Sequence, residues 1–327
     1  MSVLGDAEEF EAALRTDGVS DVLVTGRGQF RARLTQVVLY RSRLAAIAET
    51  LPRVAVVAVP ADMVLVSFPI DRGPSPIWGG IETRLGEMIA LGPGQRLHAR
   101  AVESCYWGTV LTPEQQLVDY GRAMTETRFI VPPVARWRPP AAAMRQLRRL
   151  HRAGIRMAEA RIETITDVQS AHGLEQQLLD SLIECLSQRG DNEETRAACH
   201  HREILVRFED LLGAKPPLLI ADICVAVGVS ESLLRACCKE QLGMGPSRYG
   251  RLRRLQQVHR VLRNGDPTTI CVSEVAKEHG FGALGHFAAC YRARYGELPS
   301  ATLRRAPHSF VAELRFGRPR MKLLSQR

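Results

Sequence analysis

Basic side chains at helical spacing are the chemically most informative residues in the last third of the chain. Arg235 and Lys239 stand four residues apart, so a helix here places both on one face. Such side chains bind phosphate, and arginine also forms paired hydrogen bonds with guanine. The sequence therefore predicts a face that binds double-stranded DNA. The residues predicted on this and neighbouring DNA-binding faces are Ser230, Arg235, Lys239, Arg251, Arg254, His286 and Arg292.

The net charge is distributed unevenly and supports a polyanionic partner for one part of the chain. The 327 residues carry a formal charge of +9, of which residues 216–305 contribute +6 and residues 306–327 contribute +4. Residues 1–215 are close to neutral. Because the excess of positive charge lies in the last third, nucleic acid is the expected partner there.

Other reactive residue types do not form a recognisable catalytic or metal site. The eight cysteines include no C-x-x-C pair, and Cys199-His200-His201 lacks the second ligand pair of a zinc site. Cys105 lies in an apolar, strand-like run and is interpreted as structural. We therefore predict no metal, no cofactor, no catalytic residue and no enzymatic activity.

Two helix-turn-helix units are predicted to present the basic side chains. In the first, over Ala221–Leu242, Gly228 permits the positive φ of a tight turn and Ser230 is a suitable N-cap. In the second, over Ser273–Tyr295, Gly280-Phe281 occupies the turn. Between them, Pro246 fits the first position of a long amphipathic helix whose outer face carries arginines. A plain helical bundle is the alternative interpretation.

Residues 219–305 resemble the DNA-binding domain of the AraC/XylS family of transcriptional regulators. The shared features include Gly228-Val229-Ser230, Val275-Ala276, His279-Gly280-Phe281 and Tyr295-Gly296. The segments Leu284–Ala288 and Gly296–Leu303 are most similar to the branch that contains ethanolamine-utilisation regulators.

The resemblance implies two recognition helices in successive major grooves, about 34 Å apart. It places base-reading positions of the first unit on Ser232, Arg235 and Ala236, where alanine replaces the usual arginine. The start of the second recognition helix, Gly282–Gly285, has almost no side-chain donors. We therefore expect the first unit to read bases and the second to bind phosphate through His286 and Arg292 and to read DNA shape.

The first 130 residues contain short, valine-rich runs separated by Gly, Pro and Asp turns, which favour a barrel or a sandwich. The predicted strands are Val22–Thr25, Thr35–Tyr40, Val54–Val59, Met63–Phe68 and Ala101–Val110. By family resemblance this part senses a small-molecule effector or mediates dimerisation. Candidate effector-binding residues are Phe30, Trp78, His98, Tyr106 and Trp107.

The expected fold class is α+β, with four successive regions. These are a β-rich, barrel-like (cupin-like) domain over 1–132, a helical linker or dimerisation region over 141–213, an all-α double helix-turn-helix domain over 216–305 and a basic tail over 306–327. The linker contains apolar stripes at helical spacing, which indicate packing faces or, alternatively, a dimer interface. The tail residues Arg315, Arg318, Arg320 and Lys322 add non-specific DNA affinity or contact nothing.

These features together favour a sequence-specific transcriptional activator that works as a homodimer, responds to an effector and contacts RNA polymerase. The alternatives are a cysteine-based DNA-repair methyltransferase with a DNA-binding module and an architectural binder without sequence preference. Three acidic residues in Met1–Phe10 do not fit a secretory signal, and Pro60 and Asp62 interrupt the apolar run Arg53–Ile70. A cytoplasmic protein without membrane segments is expected.

Overall fold

The computed structural model describes residues 1–125, 129–160, 168–187, 192–193, 196–214 and 217–305. The chain divides into two compact units, Met1–Gln256 and Gln257–Arg327. The predicted basic tail, residues 306–327, lies outside the described residues.

Two antiparallel sheets form the β-rich part of the first unit. The larger sheet consists of β1 (Ser2–Leu4), β3 (Ala32–Val38), β4 (Arg43–Glu49), β6 (Met63–Pro69), β8 (Met88–Leu91), β10 (Cys105–Pro113), β11 (Val134–Trp137) and β12 (Asn192–Glu193). Its strand order is β1-β3-β4-β10-β6-β8-β11-β12. The smaller sheet consists of β2 (Val19–Val24), β5 (Arg53–Ala58), β7 (Ile77–Trp78) and β9 (Arg96–Ala101), in the order β2-β5-β9-β7.

The expectation of a barrel is wrong, because the strands of the described residues form two open sheets and no closed one. A barrel and a sandwich both bury one face of short alternating strands, so the sequence pattern is the same for both. The expected strand Ala101–Val110 is also wrong, since Val102–Ser104 turn the chain between β9 and β10. The polar pair Glu103-Ser104 is the local signal of that turn.

The central strands of the larger sheet are buried on both faces, which explains why β6 and β8 are almost entirely apolar. In β6, Val64, Val66 and Phe68 belong to one core cluster, whereas Met63 and Leu65 belong to a second. This alternation follows from the period of two along a strand. The second cluster fills the space against the smaller sheet, and the first packs against helices.

Helices cover the outer face of the larger sheet. They are α2 (Glu114–Thr125), α3 (Ala141–Glu159) and α4 (Val168–Leu186), whereas α1 (Ala7–Leu14) packs against β2 of the smaller sheet. Leu147 of α3 and Leu182 of α4 are fully buried in the first core cluster. The apolar stripes predicted for these segments are therefore packing faces within the unit. No helix in the described part of the chain is long and apolar enough to span a membrane.

The first unit also contains the first predicted helix-turn-helix. Helix α5 (Arg196–Leu212) packs on α6 (Ile220–Val227) and α7 (Glu231–Leu242). Their core cluster includes Phe208 and Leu234 together with Leu23 and Val54 of the smaller sheet. Packing of these apolar side chains holds the first helix-turn-helix against the smaller sheet.

The second unit contains the remaining helices of the described chain. The division between the units falls within α8 (Pro246–Asn264), and α9 (Val272–Glu278), α10 (Leu284–Tyr295) and α11 (Pro299–Arg304) follow. Tyr291 is fully buried, and its hydroxyl donates to Thr302 Oγ1 at 2.9 Å. His259 stacks on Tyr295 with ring centroids 4.0 Å apart. These contacts fix α10 within the unit.

Candidate nucleic-acid interface

The turn of the first helix-turn-helix forms through backbone and side-chain caps. Helix α6 ends at Gly228, whose φ is +79°, and the amide groups of Gly228 and Val229 donate to the carbonyl of Cys224 at 2.9 and 3.0 Å. The Ser230 hydroxyl accepts from the Leu233 amide at 3.2 Å and so caps α7. These are the roles that the sequence predicts for Gly228 and Ser230. Ser230 consequently positions the helix, and its hydroxyl is engaged at the helix start.

The two faces of α7 differ sharply in exposure. Leu234, Cys237 and Cys238 are fully buried, whereas the opposite face is exposed to solvent. The exposed face comprises the predicted contact residues Ser232, Arg235, Ala236 and Lys239. The helix therefore presents an exposed face with polar and basic side chains opposite its buried face.

Arg235 has a partner on its own helix. Its guanidinium lies 2.6 Å from Oε1 of Glu231, four residues earlier, and both side chains are more than half exposed. An exposed pair of this kind contributes at most about 1 kcal/mol. A guanine or a phosphate can displace Glu231 at little cost, so the pair orients Arg235 without preventing DNA contact.

The arginines of α8 differ in their exposure and in their partners. Arg251 is exposed, whereas Arg254 is half-buried, and burial together with the charge of Arg251 lowers the pKa of Arg254. Arg253, which the sequence interpretation did not select for DNA contact, forms ion pairs with Asp21 and Glu209. Only a long-range contact reveals this role, because neither acidic partner is near Arg253 in the sequence.

A buried polar cluster links this part of α8 to the smaller sheet. The Glu209 carboxylate of α5 accepts hydrogen bonds from Tyr249 and Arg253 and lies 3.0 Å from Nε2 of His98. Burial alone would raise the pKa of Glu209, but the His98 hydrogen bond and the Arg253 charge outweigh it and lower the pKa to about 2. We call Asp21, His98, Glu209, Tyr249 and Arg253 the Glu209 cluster.

The second helix-turn-helix has a similar glycine turn, but no side chain caps the start of its second helix. Gly280 has a φ of +79°, and the Phe281 amide donates to the carbonyl of Ala276 at 2.9 Å. Phe287 and Tyr291 anchor α10, and His286 and Arg292 are exposed. The start of the helix, Gly282–Gly285, is also exposed. The exposed surface at this helix start consequently consists of backbone and small apolar side chains.

The residues predicted to bind an effector do not come together at one site. Trp78 and Trp107 are buried, with ring centroids 5.5 Å apart, in the core between the two sheets. Phe30 is buried in the same core, and His98 belongs to the Glu209 cluster. Tyr106 is only partly buried and lies against the other core cluster.

Cys105 and His201 each lie beside a carboxylate. Cys105 is buried beside Glu49, and burial and that charge raise the pKa of its thiol. It therefore lacks the electropositive, accessible setting of a reactive thiol. His201 lies 2.7 Å from Glu240. Among the described residues, no three Cys, His or acidic side chains converge in a way that would hold a metal ion.

A short helix, a glycine turn and a capped helix with an exposed basic row define a helix-turn-helix DNA-binding domain. Residues 223–305 match the family model described as "Helix-turn-helix domain". The XylDLEGF operon transcriptional activator 2 of Pseudomonas putida is 31% identical over 126 residues, which are 38% of this chain and 77% of that protein. The chain belongs to the AraC/XylS family of regulators, as the sequence resemblance indicates.

Other relatives match over a smaller part of their length. A probable thc operon regulatory protein of Rhodococcus erythropolis is 35% identical over 94 residues, or 29% of this chain and 28% of that protein. The XylDLEGF operon transcriptional activator 3 of Pseudomonas putida is 33% identical over 125 residues, or 38% of this chain and 37% of that protein. The chain thus matches well under half of the length of these two proteins.

Among solved structures, the AraC-like transcriptional activator CuxR is 18% identical, with a TM-score of 0.41, over 80% of this chain and 95% of CuxR. A probable AraC-family regulator from Rhodopseudomonas palustris is 31% identical, with a TM-score of 0.29, over 34% of this chain and 98% of that protein.

Proposed function

We propose that this protein is a transcriptional activator that binds specific DNA sites and responds to a small-molecule effector. The observation that carries the proposal is the exposed row of Ser232, Arg235 and Lys239 on α7, opposite a fully buried face. Relatives that match this region are described as operon regulators or activators, which supports the same role.

The two recognition helices have different tasks in this proposal. Arg235 reads a base, because a guanidinium forms two hydrogen bonds with guanine. His286 and Arg292 bind phosphate, since the start of α10 offers only glycine, alanine and leucine side chains. The second unit therefore contributes affinity and shape recognition more than base recognition.

The test is fluorescence anisotropy of the full chain on DNA from upstream of its own gene, with a random duplex as control, across a salt series. A specific regulator prefers its own site by about a thousandfold or more, and its affinity falls steeply as salt rises. Equal affinity for both duplexes would support the architectural alternative, and no binding to any duplex at low salt would refute the proposal.

The role of Arg235 is tested with a matched pair of variants. Arg235→Ala is expected to cost about 1–3 kcal/mol on the specific site and to relax the choice of sequence. Arg149→Ala removes the same charge from an exposed position on α3 and is expected to leave specific binding unchanged. If Arg235→Ala weakened specific and random DNA equally, Arg235 would contact phosphate instead of a base.

The proposal extends to partners and location. As an activator, the protein would act in the cytoplasm as a homodimer and contact RNA polymerase. Analytical ultracentrifugation with and without operator DNA tests the dimer, and transcription in vitro with purified polymerase tests activation. A monomer bound to operator DNA would contradict the homodimer. Unchanged transcript levels would contradict activation.

A further inference from the structure

An acidic side chain flanks the basic residues on the exposed face of α7. Glu231 is the first residue of this helix and directly follows the N-cap Ser230. Its side chain is 56% exposed, almost the same fraction as the 55% of Arg235, and its Oε1 lies 2.6 Å from the Arg235 guanidinium. The carboxylate and the guanidinium are therefore equally open to a molecule that approaches the start of the helix.

Glu231 occupies the part of a recognition helix that contacts base edges. In a helix-turn-helix, the N-terminal residues of the second helix reach into the major groove. Glu231 and Arg235 are four residues apart, so they lie on the same side of α7 with a rise of about 6 Å between them. Since their charged ends are 2.6 Å apart, they can reach adjacent base pairs, which follow each other every ~3.4 Å along the duplex.

A carboxylate at this place weakens binding to most DNA sequences. When a guanine takes the guanidinium of Arg235, Glu231 loses its partner and faces the negative charge of the duplex. Like charges at an interface are costly, and this cost is relieved only where the DNA offers a hydrogen-bond donor to the carboxylate. Glu231 therefore discriminates between sequences by penalising those that leave its charge unpaired.

Cytosine is the base that offers such a donor without a competing acceptor. In the major groove, cytosine presents its N4 amino group, whereas guanine presents two acceptors and thymine presents one. Adenine presents an amino group too, but beside the acceptor N7, which repels a carboxylate. A glutamate at the start of a recognition helix consequently favours cytosine.

We propose that Glu231 is a specificity-determining residue, which accepts a hydrogen bond from the N4 amino group of a cytosine in the base pair adjacent to the one read by Arg235. This inference rests on the proposed function, because it adds a second base contact to the helix that carries Arg235. Arg235 selects a guanine, and Glu231 selects the cytosine beside it. The opposing explanation is that Glu231 acts only by orienting Arg235.

The first experiment is selection of binding sites by the full-length chain from a pool of random duplexes, followed by sequencing. The wild type is expected to enrich a guanine with a cytosine in the next base pair. Glu231→Gln is expected to replace this cytosine by adenine, because glutamine pairs with N6 and N7 of adenine. A wild-type site without the cytosine, or an unchanged site for Glu231→Gln, would overturn the proposal.

Arg235→Ala separates direct reading by Glu231 from an effect through Arg235. This variant is expected to relax the choice at one base pair, which identifies the guanine, and to keep the preference for cytosine at the adjacent one. Loss of both preferences would show that Glu231 only orients Arg235 and would refute the direct contact. If Arg235→Ala binds too weakly for selection, the change from cytosine to adenine in Glu231→Gln decides alone.

Anisotropy on the selected duplex measures the size of the effect. Glu231→Ala is expected to lose about tenfold of the preference over the same duplex with thymine in place of the cytosine, and to bind random DNA more tightly than the wild type. Glu240→Ala is the control, because it removes a carboxylate from the last turn of α7, where Glu240 pairs with His201. It is expected to change either affinity less than twofold, and equal effects of the two variants would reduce the role of Glu231 to net charge.

Failure of this inference differs from failure of the proposed function. A wild type that selects a defined sequence without the adjacent cytosine would still be a specific regulator, and only the role of Glu231 would be refuted. A wild type that selects no sequence at all would refute specific recognition and, with it, both base contacts.

Discussion

The Glu209 cluster predicts a specific dependence of stability on pH. Folding lowers the pKa of the Glu209 carboxyl from 4.5 to about 2. Since one pKa unit corresponds to about 1.4 kcal/mol, the charged form contributes about 3 kcal/mol to the stability of the first unit. Between about pH 4.5 and pH 2, the folded state binds fewer protons than the unfolded state. This stability is therefore complete above about pH 5 and is lost as the pH falls from 4.5 to 2.

Glu209→Gln keeps the shape of the side chain and removes its charge. Breaking a buried ion pair costs about 3–5 kcal/mol when the partner is left without a counter-charge. Arg253 retains Asp21, so we expect a loss near the lower end, about 3 kcal/mol at pH 7. The difference between wild type and variant is expected to shrink as the pH falls towards 2.

Urea unfolding followed by tryptophan fluorescence measures this effect. The three tryptophans, Trp78, Trp107 and Trp137, all belong to the first unit, so the signal reports that unit. Glu231→Gln is the control, because it also breaks a carboxylate–arginine pair but at the surface, where we expect less than about 1 kcal/mol. A difference between wild type and Glu209→Gln that is independent of pH, or a stable Glu209→Gln at pH 7, would refute the reasoning.

The helix-turn-helix supports two further predictions, both measured by urea unfolding. Ser230→Ala is expected to cost about 1 kcal/mol because it removes the N-cap of α7, and Ser230→Asp should restore most of this; an unchanged midpoint for Ser230→Ala would show that the cap is dispensable. Gly228→Ala is expected to cost about 1–2 kcal/mol from backbone strain alone, since an added Cβ would meet no atom within 4 Å, and Gly228→Asn should cost less. Equal losses for alanine and asparagine at position 228 would contradict this explanation.

The helix-turn-helix units were predictable because their signals are local. Gly228 specifies a tight turn and Ser230 specifies an N-cap, and the two residues are only two positions apart. Each of these residues has the expected role in the structure. The DNA-contact residues remain predictions, since exposure alone does not establish contact with a base.

The β-rich part was less predictable because its architecture depends on distant pairings. Strand β4 was missed, since Ala45, Ala46 and Ala48 have low β-propensity, yet it pairs with β3 and β10 in the larger sheet. Whether a set of short strands closes is decided by which strands meet at the edges. Alternation along a single strand carries no information about that.

The ion pairs of the first unit were also unpredictable, because they join residues that are distant in the sequence. Arg253 is separated from Asp21 by more than two hundred residues, so no spacing rule relates them. Arg253 is not among the predicted DNA contacts, unlike Arg251 and Arg254, but no local signal in the sequence identifies the carboxylates that pair with it. Only the fold shows that Arg253 is neutralised by carboxylates, whereas Arg251 is exposed.

The Glu209 cluster also determines how freely the DNA-binding region can be recombined with other sensors. A chimera that joined residues 216–305 to a foreign domain would retain Arg253 and Tyr249 but lose Asp21, His98 and Glu209. It would also lose Leu23 and Val54, which complete the core around α6 and α7. A successful graft must therefore carry over α5 and supply a matching sheet surface. The part of the DNA-binding region around α6 and α7 therefore shares a core with α5 and the smaller sheet, and this shared core limits how far the region can be exchanged as a module.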